Sequence, residues 1–112
     1  MAFPDTDHLI AAEESLAEAE QVLKIFERAE PHDPRPREAL AALRLWMRGE
    51  LAVGPVRDAA FAAHAAARET VNEAAKFAAR ACGQAASVAH VATHSWHVKR
   101  YADKARESAG II

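Results

Sequence analysis

The sequence predicts an all-α fold: a single-domain bundle of four to five helices, mostly antiparallel. Three observations carry this. Val and Ile are sparse, and period-two alternation is absent throughout. Alanine, the strongest helix former, supplies 29 of the 112 residues. The larger apolar residues recur at alternating three- and four-residue steps, the spacing of one helix face. A chain of 112 residues is one domain, spanning 1–112, and is long enough to bury a core without cross-links. Because large apolar side chains are few, that core should be thin and the helix backbones close together.

The first helix is expected from an N-cap at Asp5, Thr6 or Asp7 to about Ala29. Its seam is Leu9, Ala12, Leu16, Ala19, Leu23 and Phe26. Glu13, Glu14, Glu18, Glu20, Lys24 and Glu27 lie off the seam, facing solvent. The string Pro31-His-Asp-Pro-Arg-Pro-Arg37 then breaks the helix, because proline removes a donor and restrains the residue before it. A second helix starts either with Asp33 capping Pro34 or at Pro36. It carries Ala39, Leu40, Leu43, Trp46 and Met47 inward and stops at Gly49. A third starts near Gly54-Pro55, and its uncharged run from Ala59 to Ala67 should be buried on most sides. Thr70-Val-Asn-Glu73 matches a capping box for a fourth helix, through Phe77, Ala81, Val88 and Val91 to about Thr93. This helix either continues unbroken into Tyr101 and Ala105 or kinks near Gly83 or His94-Ser95. Lys99, Arg100, Lys104 and Arg106 suit a helix C-terminus.

Charge narrows the function classes. A net charge of −2 argues against a general nucleic-acid binder. Residues 1–30 hold eight acids against two bases, and residues 95–112 hold four bases against two acids. These two ends should attract each other, within the fold or across a dimer. The single cysteine, Cys82, permits no internal disulfide, which fits a reducing, cytoplasmic setting. The first seven residues lack the basic and apolar regions of a signal peptide. Residues 81–98 contain no Asp, Glu, Lys or Arg. They do include Gln84, Ser87, His90, Thr93, His94, Ser95 and His97, so a buried helix is expected rather than a membrane span.

Two strings concentrate the polar chemistry: His64-Ala-Ala-Ala-Arg68 and His90-Val-Ala-Thr-His94. On a helix, a four-residue spacing puts both side chains on one face, one turn apart. Among alanines, such groups must be paired, hold a ligand or carry a shifted pKa. The structural reading makes the histidines neutral core residues. The alternative makes His64, His90 and His94 ligands of a divalent transition metal, a three-His set with an open position. Arg68 is expected to be partly buried and to pair with Asp33, Asp58 or Glu73, or else to await an anionic ligand. Arg35 and Arg37 flank Pro36 at a helix start, where cations are disfavoured. They should pair with first-helix carboxylates or grip an acidic partner. The candidate polar cluster is therefore Asp33, Arg35, Arg37, His64, Arg68, His90 and His94. Trp46 and Trp96 should anchor the core or a subunit interface. Cys82 reads as buried packing rather than a nucleophile, since Ala78 and Ala86 flank it at i±4. No phosphate loop, dinucleotide turn, nucleophile elbow or cysteine zinc site occurs, and no residue is assigned a catalytic role.

The strings Asp33-Pro-Arg-Pro-Arg37, Trp46 with Arg48-Gly-Glu50, Ala63-His-Ala-Ala-Ala-Arg68 and Ala89-His-Val-Ala-Thr-His94 resemble a bacterial family of small, alanine-rich helical proteins. That family is labelled "putative immunity protein", and the resemblance spans roughly residues 30–95. It implies a cytoplasmic protein that neutralises a toxin by binding it, with no catalytic residues and no cofactor to carry over. The motif positions it marks are Asp33, Arg35, Arg37, Trp46, His64, Arg68, His90 and His94. The segment Trp96-His-Val-Lys-Arg100 is more polar than the resemblance leads one to expect. Two other functions remain open on the residues: a metal binder or metal-dependent enzyme on His64, His90 and His94, and an anion binder built on Arg68 and the Arg35/Arg37 loop. The thin core, the two tryptophans and the charge asymmetry suggest a homodimer.

Overall fold

A computed structural model of the chain describes residues 5–111. Within them lie five α-helices: α1 (Thr6–Ala29), α2 (Arg35–Met47), α3 (Val53–Glu69), α4 (Glu73–Ser87) and α5 (Ser95–Ala109). A single 3-10 turn, Ala92–His94, precedes α5. The all-α bundle expected from the sequence is what forms. The reading of residues 1–4 as lacking a signal peptide lies outside the described residues.

α4 is the axial helix, and every other helix packs against it. Its buried positions are Ala74, Ala75, Ala78, Ala79, Ala81, Cys82, Gly83, Ala85, Ala86 and Ser87. None carries a side chain larger than a thiol, so four neighbours can approach its backbone closely. Only one strip, Glu73, Lys76, Phe77, Arg80 and Gln84, escapes burial. Larger side chains supply the volume that α4 lacks. At one end Leu23, Leu40, Leu43, Trp46, Val56, Val88 and Val98 close over Cys82 and Ala85. At the other, Val22 and Phe26 pack with Ala66, Ala67, Ala102 and Ala105. Cys82 is wholly buried, and burial pushes its thiol up to about 12.

The helix ends follow local chemistry. The Asp5 carboxylate accepts from the His8 N–H (2.9 Å) and caps α1. α1 buries Ala12, Ala19, Leu23 and Phe26 as the seam predicts, with Ser15 and Val22 beside them. α2 ends where Gly49, at φ 73°, takes the left-handed conformation, and the Glu50 N–H closes on the Leu45 carbonyl at 2.8 Å.

Two expectations are corrected. Thr70 does not cap α4: the Asn72 side chain does, accepting from the Ala75 N–H at 2.8 Å. Thr70 Oγ1 instead donates to Glu30 Oε2 at 2.8 Å and ties the α3–α4 turn to the end of α1. α4 stops at Ser87 rather than Thr93. The chain becomes extended at Val91 (φ −143°, ψ 106°), and Tyr101 belongs to a separate helix, α5, which agrees with the alternative of a break near His94-Ser95. In the Ala59–Ala67 run every residue is buried or half-buried except Phe61, which is left 57% exposed.

The acidic first segment finds its counter-charges inside the fold. Glu20 pairs with Arg44 of α2 at 3.2 Å, Glu27 with Arg37 at 2.6 Å, and Glu18 with Arg106 of α5 at 3.7 Å.

The tightest approach is between Gly83 and His64. A Cβ added at Gly83 would lie 2.6–2.8 Å from the imidazole ring. Gly83→Ala should therefore destabilise by about 1–3 kcal/mol in the wild-type background. With His64→Ala already present the clash is gone, and helix propensity should make the same change stabilising by about 1 kcal/mol. Urea denaturation of the double-mutant cycle measures this. Equal effects in the two backgrounds would remove the contact from the account.

Candidate functional site

The predicted polar residues divide into a brace and a histidine cluster. The brace is built on the proline loop. Asp33 Oδ1 accepts from the Arg35 backbone N–H (3.1 Å) and Nε (2.9 Å), and Asp33 Oδ2 accepts from Nη2 (2.7 Å). The same guanidinium donates to both oxygens of Glu69 at the end of α3, at 3.2 and 2.8 Å. Arg37 makes a two-bonded fork with Glu27 of α1, both contacts at 2.6 Å. The loop between α1 and α2 is thus fastened to α1 behind it and to α3 beside it. Hydrogen bonding to Arg35 holds the Asp33 and Glu69 carboxyls below their ordinary range, and Arg37 does the same for Glu27. Arg37 does pair with a first-helix carboxylate, whereas Arg35 pairs with its own loop and with α3.

In the histidine cluster, His90 and His94 lie just past the C-terminus of α4, and His64 reaches Gly83 from the C-terminal half of α3. His64 is half-buried against Gly83, and burial is the main cause holding its pKa below 6.5; the charges of Arg80, Arg68 and His94 add to it. His90 and His94 do not share a helix face, because α4 has already ended: His90 sits in the turn and His94 in the 3-10 segment. The turn nonetheless brings their rings to 5.4 Å, tilted by 53°. His94 Nδ1–H donates to Gln84 Oε1 at 2.7 Å, while buried His90 Nδ1 has no hydrogen-bond partner. Among the described residues no three His, Cys, Asp or Glu side chains converge closely enough to hold a metal ion.

Arg68 departs from expectation. It is exposed, and among the described residues no carboxylate forms an ion pair with it, Arg57 or Arg80. The reason is its place on the outer face of α3, in register with Arg57, Phe61 and His64, turned away from Asp33, Asp58 and Glu73. That register (i, i+4, i+7, i+11) was present in the sequence and marks a stripe the motif reading did not use. Gly83 was a second missed signal: a glycine inside an alanine-rich helix indicates a neighbour too close for a methyl group. His8 was a third, since its Nε2–H donates to the Val88 carbonyl and its ring meets Trp46 edge-on at 4.8 Å. Trp46 is core, as expected, but Trp96 is not: it is 76% exposed at the first turn of α5.

The shifted groups set a pH dependence. His64, His90 and His94 are all held below 6.5, mainly by burial. The folded chain therefore binds fewer protons than the unfolded chain just below that pH, and stability falls as pH drops through it. Below about pH 4.5 the depressed carboxylates Asp33, Glu27 and Glu69 continue the loss in the same direction. Urea midpoints measured from about pH 7.5 to about pH 5 should decline, and His64→Ala should flatten the slope. A pH-independent midpoint in the wild type would contradict the burial of these rings.

The family model described as Imm-5 like putative immunity protein matches residues 5–111. No curated protein and no solved structure matches the chain.

Proposed function

The chain belongs to the Imm-5 like family of putative immunity proteins, and from that membership we propose that it neutralises a toxin by binding it through surface contact, in a bacterial cytoplasm. One observation supports this most. Asp33, Arg35, Arg37, Trp46 and His64 hold helices together, while Arg68 and the large aromatic side chains Phe61 and Trp96 face outward. Asp33, Arg35 and Arg37 brace a loop, and His64 plugs the space over Gly83. Phe61 and Trp96 are exposed on a bundle otherwise short of large apolar side chains. Exposed aromatic groups on a small domain are the usual anchors of a protein interface. Among the described residues no helix is long and apolar enough to cross a membrane.

Co-expression tests the reading. The product of the neighbouring open reading frame should be toxic alone, be rescued by this chain and co-purify with it as a stable complex. If no neighbour is toxic and none binds, the immunity reading fails.

A second reading, a metal binder on His64, His90 and His94, keeps one supporting observation: the adjacent His90 and His94 rings with His90 Nδ1 unpartnered. Zinc titration followed by calorimetry separates the two. Surface-contact immunity predicts no stoichiometric Zn2+ binding and a loss of stability in His90→Ala. Stoichiometric binding abolished by that substitution would favour the metal centre.

A further inference from the structure

A groove of about 440 Å3 runs between the first half of α1 and the first turn of α5. Its α1 wall is Glu14, Ser15 and Glu18, and its α5 wall is Trp96, Val98 and Lys99. Three features of different kinds meet there. Ser15 is 2% exposed, yet its Oγ has no hydrogen-bond partner. Glu18 Oε2 is buried and likewise makes no hydrogen bond: Arg106 stands 3.7 Å away, and its donors go to Asp103 and Gln21. The Trp96 indole lies open at the rim. A buried serine hydroxyl without a partner, and a carboxylate oxygen whose counter-charge stands too far off for a hydrogen bond, leave acceptor capacity for a further donor. An exposed indole face attracts a cation.

We propose that this groove seats an arginine side chain presented by a basic segment of the partner protein. The guanidinium stacks on Trp96 while its N–H groups donate to Glu18 Oε2 and Ser15 Oγ. Arginine fits better than lysine because its planar fork serves two acceptors while its face lies against an aromatic ring. Glu14 on the wall, with Glu13 nearby on α1, adds negative charge. Lys99 opposes it, but its ammonium is engaged by both oxygens of Asp103, at 3.1 and 3.3 Å. This inference rests on the toxin-binding reading for the identity of the partner, though not for the chemistry of the groove.

The test follows the two indole N–H signals by NMR during titration with a hexa-arginine peptide. The Trp96 signal should shift progressively while that of Trp46 stays. Glu18→Gln and Ser15→Ala should each weaken binding, the former by about tenfold. Glu38→Gln, a carboxylate elsewhere on the surface, should have little effect, and hexa-glutamate should produce no shift. Within the titration, any of four results would overturn the proposal: no Trp96 shift, equal weakening by Glu38→Gln, hexa-lysine binding as tightly as hexa-arginine, or a Trp96 signal that moves with protein concentration alone, which would place a second copy of the chain in the groove. If co-expression rescue survives Trp96→Ala and Glu18→Gln, the groove proposal falls and the immunity reading stands. If hexa-arginine binds as described but no toxic neighbour exists, the groove stands without that reading.

Discussion

Close approach of backbones around α4 is the constraint on which the rest of this structure depends. Every buried position of that helix is Ala, Cys, Gly or Ser. Such residues contribute little hydrophobic area each, so stability comes from many short-range contacts between helices rather than a few large burials. The arrangement tolerates little change in volume. Where His64 reaches over Gly83, even one methyl group is too many. The large apolar side chains come from the surrounding helices, as Phe26, Leu40, Leu43 and Trp46 show. The axis is thin because its neighbours are not.

A thin core places a burden on the connections. The proline loop carries no long apolar side chain of its own, and it is instead fixed by charge. Arg35 holds two carboxylates on separate elements, Arg37 forks onto Glu27, and Thr70 reaches back to Glu30. These contacts are partly or largely solvent-exposed, so each is worth little alone. Their value lies in aim: they converge on one end of the bundle and fix the direction in which α2 leaves α1. The opposite end is closed differently, by a turn that gathers His90, His94 and Gln84. The proline-loop string and the His90–His94 string therefore sit at different ends of the bundle, while α5 and α3 present Trp96 and Phe61 outward.

The fold was legible in the sequence because its cause is local. The alanine content, the seam from Leu9 to Phe26 and the prolines at 34 and 36 each act within one helix turn or one loop. Errors arose where a residue's partner is distant in sequence. Thr70 looked like a cap, but Glu30, forty residues away, claims its hydroxyl and leaves the cap to Asn72. The His90–His94 spacing suggested one helix face. The rings do meet, through a turn that ends α4 early, so the proximity was right and its cause was wrong. Arg68 was expected to be partly buried because it follows an uncharged run, whereas its place on α3 leaves it exposed. The groove beside Trp96 was not legible at all, since it needs Ser15 of α1 and the start of α5 side by side, which helix periodicity alone does not place.

Cys82 has a use that follows from its position. It is the chain's one sulfhydryl, wholly enclosed, with its proton held far more tightly than in water. A thiol-specific reagent can reach it only when the helices around α4 part. The rate of its labelling is thus a clock for breathing of the interior, with no foreign reporter introduced. Any binder that clasps the helices would slow that clock, whichever face it grips.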